Sequence, residues 1–387
     1  MKIVFLRTNR IDPDPRVEKE INSLLTVPEF DIKAVVWDRT DKYSRRVRKL
    51  NFYNGEVPVI QFGIPASWGG GMKVNFKSSI IFEWKLFWWL IVNNKNYDCI
   101  HACDLLTGMP ALLPAKLFRK KLVYDIFDYY AATTRGPEFI LKIFATMENL
   151  VINHADATII CSEKRKEQIA KSNPKKLIVC HNAPSSDQII SRNKKFRLQS
   201  NANSSNRIKI AYVGNLVENR YILQALSLAD SLPDVEFHIG GMGILAEKIS
   251  LMANSKDNIF FYGKMNYQDV LSLEEQSDIL LALYDPRVNN HKYAAPNKFY
   301  EALSLGKPLI MFHSTGMDEV IEKYHIGAVC DATEEGIYSA ICQLINEKNQ
   351  WPTMSTRMKK LFGECYSWDI MEGRLRSLYR ELISYES

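Results

Sequence analysis

Short apolar runs alternate with amphipathic segments through the first half of the chain. The runs are typical of buried strands, and the segments between them have the spacing of helices with one apolar face. Strands that alternate with helices in this way predict a parallel, doubly wound sheet. The predicted strands are residues 2–6, 32–37, 99–102, 121–125, 157–161 and 176–180, and the predicted helices are 17–25, 80–92, 110–117, 139–153 and 163–170.

The alternation starts again after residues 185–206, a polar stretch rich in Ser and Asn that predicts a linker. We therefore expect a first domain over residues 1–184 and a second over 207–366. An α/β architecture of two Rossmann-like, doubly wound parallel sheets facing a central cleft fits this plan. The second set of predicted strands is 209–213, 236–239, 259–262, 279–283, 309–312 and 328–329, with helices at 221–229, 243–253, 267–274 and 317–323 and an amphipathic segment at 368–383.

Charge is distributed unevenly. Residues 1–195 carry 31 Lys+Arg against 20 Asp+Glu, a net charge of +11, and the remainder carries −5, so that the whole chain has +6. A basic half suggests contact with an anionic surface or substrate. Because no nucleic-acid-binding motif accompanies this charge, we expect no nucleic-acid partner.

The seven cysteines include no C-x-x-C pair, so a zinc ribbon and a thioredoxin motif are excluded, and buried thiols in a reducing compartment are expected. The apolar start MKIVFL is too short for a signal peptide. Glu83 and Lys85 interrupt the nearest approach to a membrane span, residues 79–92. These features predict a cytoplasmic protein.

A Lys and a Glu three residues apart stand at the head of a predicted helix in the stretch PNKFYEALSLGKPLI. They are Lys298 and Glu301; Pro296 and Asn297 suit the start of the helix, and Gly306 ends it. A charged pair where a helix feeds a parallel strand is well placed to hold a ligand. The alternative is an ordinary surface pair on a core helix.

Glycines follow three predicted strands of the second half. A glycine at a strand end lets the backbone approach a phosphate, and a nearby Arg220 can donate two hydrogen bonds to it. No P-loop is present, which argues against a kinase or an ATPase. The glycine-bearing strand ends are Gly214-Asn215, Gly240-Gly241-Met242-Gly243 and Gly263-Lys264.

Eight segments, spread over almost the whole chain, follow one another in the order of a known family. They are DPDPRVEKEI (residues 12–21), YDCIHACDLLTGMPALLPAK (97–116), KLVYDIFDYY (121–130), ADATIICSE (155–163), YVGNLVENR (212–220), IGGMG (239–243), FYGKM (261–265) and PNKFYEALSLGKPLI (296–310). With them the chain resembles the GT-B-fold glycosyltransferases of the large retaining family 4, which includes glycogen synthases and bacterial polysaccharide enzymes.

The resemblance implies that the second domain binds a UDP- or GDP-linked sugar and that residues 367–387 return to complete the first domain. Glu301 matches the carboxylate that holds the donor ribose. Arg220 and Lys298 match basic groups that stabilise the leaving diphosphate, which implies catalysis without a metal or another cofactor. The leaving phosphate itself would help to deprotonate the acceptor. The other donor-binding residues implied are Gly214, Asn215, Gly241, Gly243, Gly263, Lys264 and Asn297.

The donor loop departs from the family pattern. The family often has Glu eight residues before the ribose-binding Glu, but Tyr293 stands there, and Asp285 and His291 are out of register. We therefore expect backbone groups or other side chains of residues 284–295 to hold the donor sugar.

The first domain departs from the family too. Its H-x-H strand end is His101-Ala102-Cys103 here, and a charged segment replaces the glycine-rich loop after the first strand. We predict a part in catalysis for His101 and Asp104, and acceptor binding by Asp104, Asp128 and Arg16. The alternatives are a core histidine, helix-capping carboxylates, and an Arg16 that simply pairs with Glu20 at i,i+4.

An aromatic helix over residues 82–89 carries Trp84, Phe87, Trp88 and Trp89. With the basic runs 45–49 and 119–121 it could rest on an anionic membrane surface, which suits a lipid-linked acceptor. The alternative is a core helix beside solvated basic faces.

The sequence thus predicts a retaining glycosyltransferase, cytoplasmic or at the inner face of the plasma membrane. It would move a sugar from a nucleotide sugar to a glycan or lipid-linked saccharide in surface polysaccharide biosynthesis. One alternative is a GT-B sugar-nucleotide epimerase, for which few acid/base groups beyond Asp104 and His101 are available. The other is a catalytically silent binding partner, which Tyr293 and Cys103 leave open.

Overall fold

A computed structural model describes residues 1–41, 44–67, 71–134, 136–199 and 206–384 of the chain. Its contacts divide the chain into two compact units. The first unit is Met1–His181 together with Met371–Ser387, and the second is Asn182–Ile370. Within the described residues, no helix has the length and hydropathy of a membrane span.

The first unit is built on eight strands: β1 (Lys2–Arg7), β2 (Asp31–Asp38), β3 (Arg45–Phe52), β4 (Gly55–Gly63), β5 (Cys99–Cys103), β6 (Lys121–Ile126), β7 (Ala157–Ile160) and β8 (Leu177–Val179). They form one sheet in the order β3-β4-β2-β1-β5-β6-β7-β8. All neighbouring strands are parallel except β3 and β4. The chain begins in the middle of the sheet and builds outward to both edges, so the sheet is doubly wound, as predicted.

Helices connect these strands: α1 (Pro15–Leu25), α2 (Gly71–Val92), α3 (Leu105–Leu117), α4 (Tyr130–Thr133), α5 (Glu138–His154) and α6 (Arg165–Gln168). α1 starts at Asp14, whose side chain accepts a hydrogen bond from the Val17 backbone N–H, with Pro15 in the first turn. Between sheet and helices lies an apolar core in which Trp37 of β2 stacks on Phe82 of α2.

The sequence pattern predicted no strand in the region that forms the β3–β4 hairpin. β3 contains the basic run Arg45–Lys49, so this run is an edge strand rather than a loop, and most of its side chains are exposed. The sequence does not indicate this strand, because β3 has few apolar residues. Charged side chains suit this position, since they discourage pairing of an open sheet edge with another chain.

The second unit contains a six-stranded sheet made of β9 (Ile208–Asn215), β10 (Val235–Met242), β11 (Ile259–Phe261), β12 (Ile279–Ala282), β13 (Leu309–Phe312) and β14 (Gly327–Cys330). The order is β11-β10-β9-β12-β13-β14, and every pair is parallel. The α/β class with two parallel-sheet domains, predicted from the sequence, is therefore confirmed.

The helices of this part are α7 (Ser186–Ile190), α8 (Ile222–Ser227), α9 (Ala246–Ser255), α10 (Tyr267–Gln276), α11 (Asn297–Leu305), α12 (Asp318–Tyr324), α13 (Glu334–Asn346), α14 (Trp351–Leu361) and α15 (Trp368–Ser384). α13 and α14 were not predicted. From Met371 onward, α15 belongs to the first unit.

The predicted linker is in part an ordered piece of the second unit. Residues 200–205 lie outside the described residues, but α7 opens with a capping box between Ser185 and Gln188. Arg192 then forms a salt bridge with Glu275, and Phe196 packs against the core of the second unit. The segment is mostly polar, so its few apolar residues do not predict that it packs against the second unit.

Candidate active site

The central strands of the second sheet define where a ligand is expected. From β9 the chain builds β10 and β11 on one side, and β12 then joins the other side of β9. The connections therefore leave the carboxyl ends of β9 and β12 in opposite directions and open a crevice there. Ligands of doubly wound sheets bind in this crevice.

Three glycine-bearing strand ends meet beside it. Gly241 of β10 lies opposite Gly214 of β9, and its N–H donates to the Gly263 carbonyl at 2.7 Å. Gly241 has φ +133°, and a Cβ there would lie 1.8 Å from the Gly214 oxygen, so only glycine fits. Gly243 and the exposed Lys264 follow at the ends of β10 and β11.

Lys298 reaches this edge from the first turn of α11. Its Nζ lies 4.8 Å from the centre of the Tyr212 ring, and a Cβ on Gly214 would approach that Nζ to 2.8 Å. Burial lowers the pKa of Lys298, but Tyr212, Tyr284 and the carboxylates of Glu301 and Glu274 outweigh it and raise the pKa. Lys298 is therefore a cation at the end of β9.

Arg220 is a second positively charged side chain at this edge of the sheet. Its guanidinium lies 3.9 Å above the Tyr284 ring, and its Nη1 is 3.0 Å from His291 Nε2. Burial raises the pKa of Tyr212, against the opposing effect of the Lys298 and Arg220 charges. The two predicted basic residues thus lie over two tyrosine rings, Lys298 over Tyr212 and Arg220 over Tyr284.

Glu301 lies one turn further along α11 and is only 3% exposed. The Tyr267 hydroxyl is hydrogen-bonded to it. Glu274 of α10 is buried nearby, and its Oε2 has no hydrogen-bond partner among the described residues. Burial, followed by the negative charge of Glu301, raises the pKa of Glu274, so it holds a proton more readily than an exposed Glu.

The remaining residues predicted to bind the donor lie around Lys298, Arg220 and Glu301. The Asn215 carbonyl accepts a hydrogen bond from the Tyr212 hydroxyl at 2.9 Å. Asn297 begins α11 and accepts one from the Asn182 side chain at 3.0 Å. The structure thus gathers Gly214, Arg220, Lys298 and Glu301 closely, with the other donor candidates at its margin.

In the first unit, His101 is enclosed in the core. Its Nδ1 is 2.5 Å from the Tyr379 hydroxyl of α15, and its ring stacks on Phe5. Its Nε2 lies 3.5 Å from both Glu20 Oε2 and Asp125 Oδ2. Burial lowers the pKa of His101. These contacts favour the core-histidine interpretation over a catalytic one.

Arg16 is buried beside His101. Its Nε is 3.1 Å from Glu20 and its Nη2 is 2.6 Å from Asp125, so both sides of the guanidinium bind carboxylates. Glu20, His101 and Asp125 offer possible metal-ligand atoms within 4.8 Å of one another, but Arg16 already supplies a positive charge there. The pair with Glu20 agrees with the structural alternative for Arg16.

Asp104 and Asp128 meet at the end of β6. Asp104 accepts hydrogen bonds from the Phe127 and Asp128 backbones and from Arg7 Nη1, the last at 2.7 Å. It has φ +66°, an uncommon conformation for a residue other than glycine. Burial raises the pKa of Asp104 against the effect of Arg7. Asp128 is more accessible and pairs with Arg165 at 3.0 Å.

Comparison with known proteins agrees with this architecture. Residues 193–360 match the family described as Glycosyl transferases group 1. The chain has the GT-B fold. The family match covers fewer than half of the residues of the chain. It spans most of the second domain and part of the segment that precedes it. No curated protein sequence matches the chain.

Solved structures match this GT-B chain over its length. Sucrose-phosphate synthase from Thermosynechococcus elongatus has a TM-score of 0.73 at 13% identity, with 100% of both chains covered. Anabaena HepE in complex with UDP and glucose has 0.68 at 13%, covering 98% of this chain and 100% of HepE. The UDP-GlcNAc 2-epimerase of Neisseria meningitidis, bound to UDP-GlcNAc, has 0.60 at 14%, with 98% and 100% covered. At these identities the similarity establishes the fold alone.

Sequence reasoning missed several side chains of this crevice. The motif YVGNLVENR begins with Tyr212, but the sequence indicates no role for this residue. His291 is out of register with the family pattern of the donor loop. Glu274 gave no signal, because it belongs to a helix whose sequence is that of any amphipathic segment. Its position near Glu301 results from the packing of α10 against α11.

Proposed function

We propose that the chain is a retaining glycosyltransferase that takes a sugar from a UDP- or GDP-linked donor. The observation that carries this proposal is that Lys298 lies over the Tyr212 ring and Arg220 over the Tyr284 ring, near the carboxyl ends of β9 and β12. Two cations beside a glycine-lined strand end suit a diphosphate. The family match over residues 193–360 favours glycosyl transfer over epimerisation.

In this proposal, Lys298 and Arg220 bind the diphosphate and Glu301 accepts hydrogen bonds from the ribose hydroxyls. As the glycosidic bond breaks, negative charge grows on the leaving phosphate, and the two cations stabilise it. Because their charges are fixed in place before the reaction, no metal is needed for this purpose. Transfer that continues in EDTA supports this point, and transfer that requires a divalent cation contradicts it.

Acceptor binding is assigned to the first GT-B domain. Asp128 is the most accessible of its candidates, with a side chain 58% exposed. Asp104 and Arg16 adjoin it through Phe127, over whose ring the Arg16 guanidinium lies at 4.4 Å. We propose that Asp128 contacts acceptor hydroxyls and that Asp104 and Arg16 shape the surface around it. The acceptor is a glycan or lipid-linked saccharide of a surface polysaccharide.

A lipid-linked acceptor is consistent with an apolar surface on the first domain. Residues 80, 84, 88 and 92 form one exposed stripe of α2, in which Trp84 is 62% and Trp88 47% exposed. α3 packs against both α2 and α5 and adds exposed Leu113 and Leu117. Lys116 and Arg119 lie at the same end of α3. Aromatic and basic side chains together fit the interface of an anionic bilayer.

Vesicle co-sedimentation tests this surface. We expect binding to vesicles that contain phosphatidylglycerol, with weaker binding to neutral vesicles and at high salt. Replacing Trp84 and Trp88 together by Ser should abolish it. Tyr338→Ser is the control, because Tyr338 is an exposed aromatic on α13 of the second unit, outside the proposed membrane surface. Equal binding by both variants would contradict peripheral membrane contact.

Nucleotide release with and without acceptor tests the activity itself. Transfer requires the acceptor, epimerisation does not, and a silent binding partner releases nothing. Thermal shifts against UDP-, GDP- and ADP-sugars identify the donor first, since a specific ligand stabilises the folded state. The anomeric configuration of the product, measured by NMR, then decides between retention and inversion.

A further inference from the structure

His291 occupies a buried position next to Arg220. It lies on the short helical turn Asn289–Tyr293 that follows β12, and it is 7% exposed. Its ring meets the Tyr284 ring edge to face, with centroids 5.1 Å apart. Arg220 covers the same Tyr284 ring, so the three side chains contact one another.

The two ring nitrogens of His291 have partners of opposite kind. Nδ1 is 2.8 Å from the Asp285 backbone carbonyl, which can only accept, so Nδ1 carries the hydrogen. Nε2 is 3.0 Å from Arg220 Nη1, which can only donate, so Nε2 must offer its lone pair. The network therefore assigns a neutral ring with the hydrogen on Nδ1.

We propose that His291 is a positioning residue for Arg220: its neutral imidazole accepts a hydrogen bond from the guanidinium and holds it over Tyr284, aimed at the β-phosphate of the donor. This inference rests on the proposed function, because it gives Arg220 a diphosphate partner. Asn219 adds two further acceptors for Nη1, its carbonyl at 3.2 Å and its side-chain oxygen at 3.1 Å. These three acceptors occupy Nη1. We therefore expect the other nitrogens of the guanidinium to be available to the ligand.

Protonation of His291 would undo this arrangement. The ring would then present an N–H to Arg220, and two cations would face each other. The Asp285 carboxylate interacts with His291, but Arg287 already binds it through two nitrogens at 2.8 to 3.2 Å, so it offsets this repulsion only in part. Lys292 adds positive charge next to His291 in the chain, and the Tyr221 hydroxyl accepts a hydrogen bond from Arg287. Affinity for a diphosphate should therefore fall when His291 takes up a proton.

Two substitutions test the two hydrogen bonds of the His291 ring independently. In His291→Gln the side-chain oxygen lies near the place of Nε2 and still accepts from Arg220, but it cannot titrate. In His291→Asn the amide nitrogen replaces Nδ1 and keeps the bond to Asp285, while the acceptor for Arg220 is lost. His313→Asn, at a half-exposed histidine after β13, is the matched control.

Calorimetric affinity for UDP and UMP at pH 8.0 and 5.5 tests the proposal, with ADP and GDP used if UDP does not bind. For His291→Asn we expect UDP affinity to fall about 10- to 100-fold, the effect of a lost hydrogen bond to a charged group, with UMP affinity unchanged. His291→Gln should stay within about threefold of the wild type at pH 8.0. On going to pH 5.5 it should lose less UDP affinity than the wild type.

The outcomes are distinct. If the wild type binds none of the three nucleoside diphosphates, the proposed function fails. If the wild type binds one of them and His291→Asn binds it equally well, or loses UMP as much as UDP, the positioning role fails. Should His291→Asn not fold, the comparison of wild type and His291→Gln across pH still decides, since equal pH dependence would overturn the proposal.

Discussion

Both units have cations near the carboxyl end of a central strand, but the groups around these cations differ. In the first unit, Arg7 at the end of β1 binds Asp14 and Asp104, and the neighbouring Arg16 binds Glu20 and Asp125. In the second unit, Arg220 contacts the Tyr284 ring, His291 and Asn219. Lys298 lies over the Tyr212 ring, and the charges of Glu301 and Glu274 act on it. Cations paired with buried carboxylates are structural, whereas Arg220, on neutral polar and aromatic groups, retains its charge for an anionic ligand.

The largest expected effect is on folding, at Arg16. Arg16→Ala leaves the Glu20 and Asp125 carboxylates buried without their partner, and we expect it to lower the free energy of unfolding by about 3–5 kcal/mol. Arg220→Ala, in the second unit, should change the free energy of unfolding by less than about 1 kcal/mol, because Arg220 pairs with no buried carboxylate in the part of the chain that the structure describes. Urea denaturation measures both, and similar losses would remove the distinction between the two regions.

The next effect is on catalysis, at Lys298. Lys298→Met keeps the aliphatic stem and removes the charge, so kcat should fall about 10²- to 10³-fold while the protein stays folded. Lys248→Met on α9 is the matched control, an exposed lysine of the same unit. Steady-state kinetics with the identified donor checks this. A variant that loses only donor affinity would show that Lys298 binds the ground state alone.

A smaller effect is expected at Glu301. Glu301→Ala should weaken nucleotide-sugar binding at least tenfold, about 1.4 kcal/mol, because the ribose loses its buried acceptor. Glu247→Ala, at an exposed position of α9, serves as the control. Isothermal titration calorimetry measures both affinities. Undiminished binding by Glu301→Ala would sink the assignment of this residue to the ribose.

A separate prediction concerns the pH dependence of stability, at the buried carboxyl group of Glu148. Glu148 accepts hydrogen bonds from the Tyr124 hydroxyl at 3.0 Å and the Tyr130 backbone at 2.9 Å, and burial raises its pKa to about 8. Since this pKa lies above that of an unfolded chain, the stability contributed by protonated Glu148 is present below about pH 4.5 and lost as pH rises through 8.

Glu148→Gln removes this titration. Compared with the wild type, the variant should therefore become relatively more stable as pH rises from 5 to 8, by at most about 1.4 kcal/mol per pH unit. Thermal unfolding at several pH values measures the difference. A constant difference would mean that Glu148 remains charged despite its burial, as Asp125 does beside Arg16.

The sequence carried more information on the second unit than on the first. Lys298, Glu301 and the glycine-bearing strand ends could be predicted because each follows from a local pattern at a strand or helix end. Tyr284, His291 and Glu274 could not, because only the packing of separate elements brings them to Arg220 and Glu301. Periodicity also failed for β3, where an exposed edge strand needs few apolar residues. For His101, the sequence does not distinguish a site residue from a core residue, because strand ends hold both.

The hydrogen bond between Tyr379 and His101 has a consequence for synthesis on the ribosome. It joins residues 278 positions apart, and α15 supplies part of the first unit's core from the far end of the chain. The second unit is one continuous segment, whereas the first becomes complete only after everything in between has been translated. Vectorial synthesis therefore finishes the later unit first, and a chain released before α15 would leave His101 and its buried carboxylates uncovered.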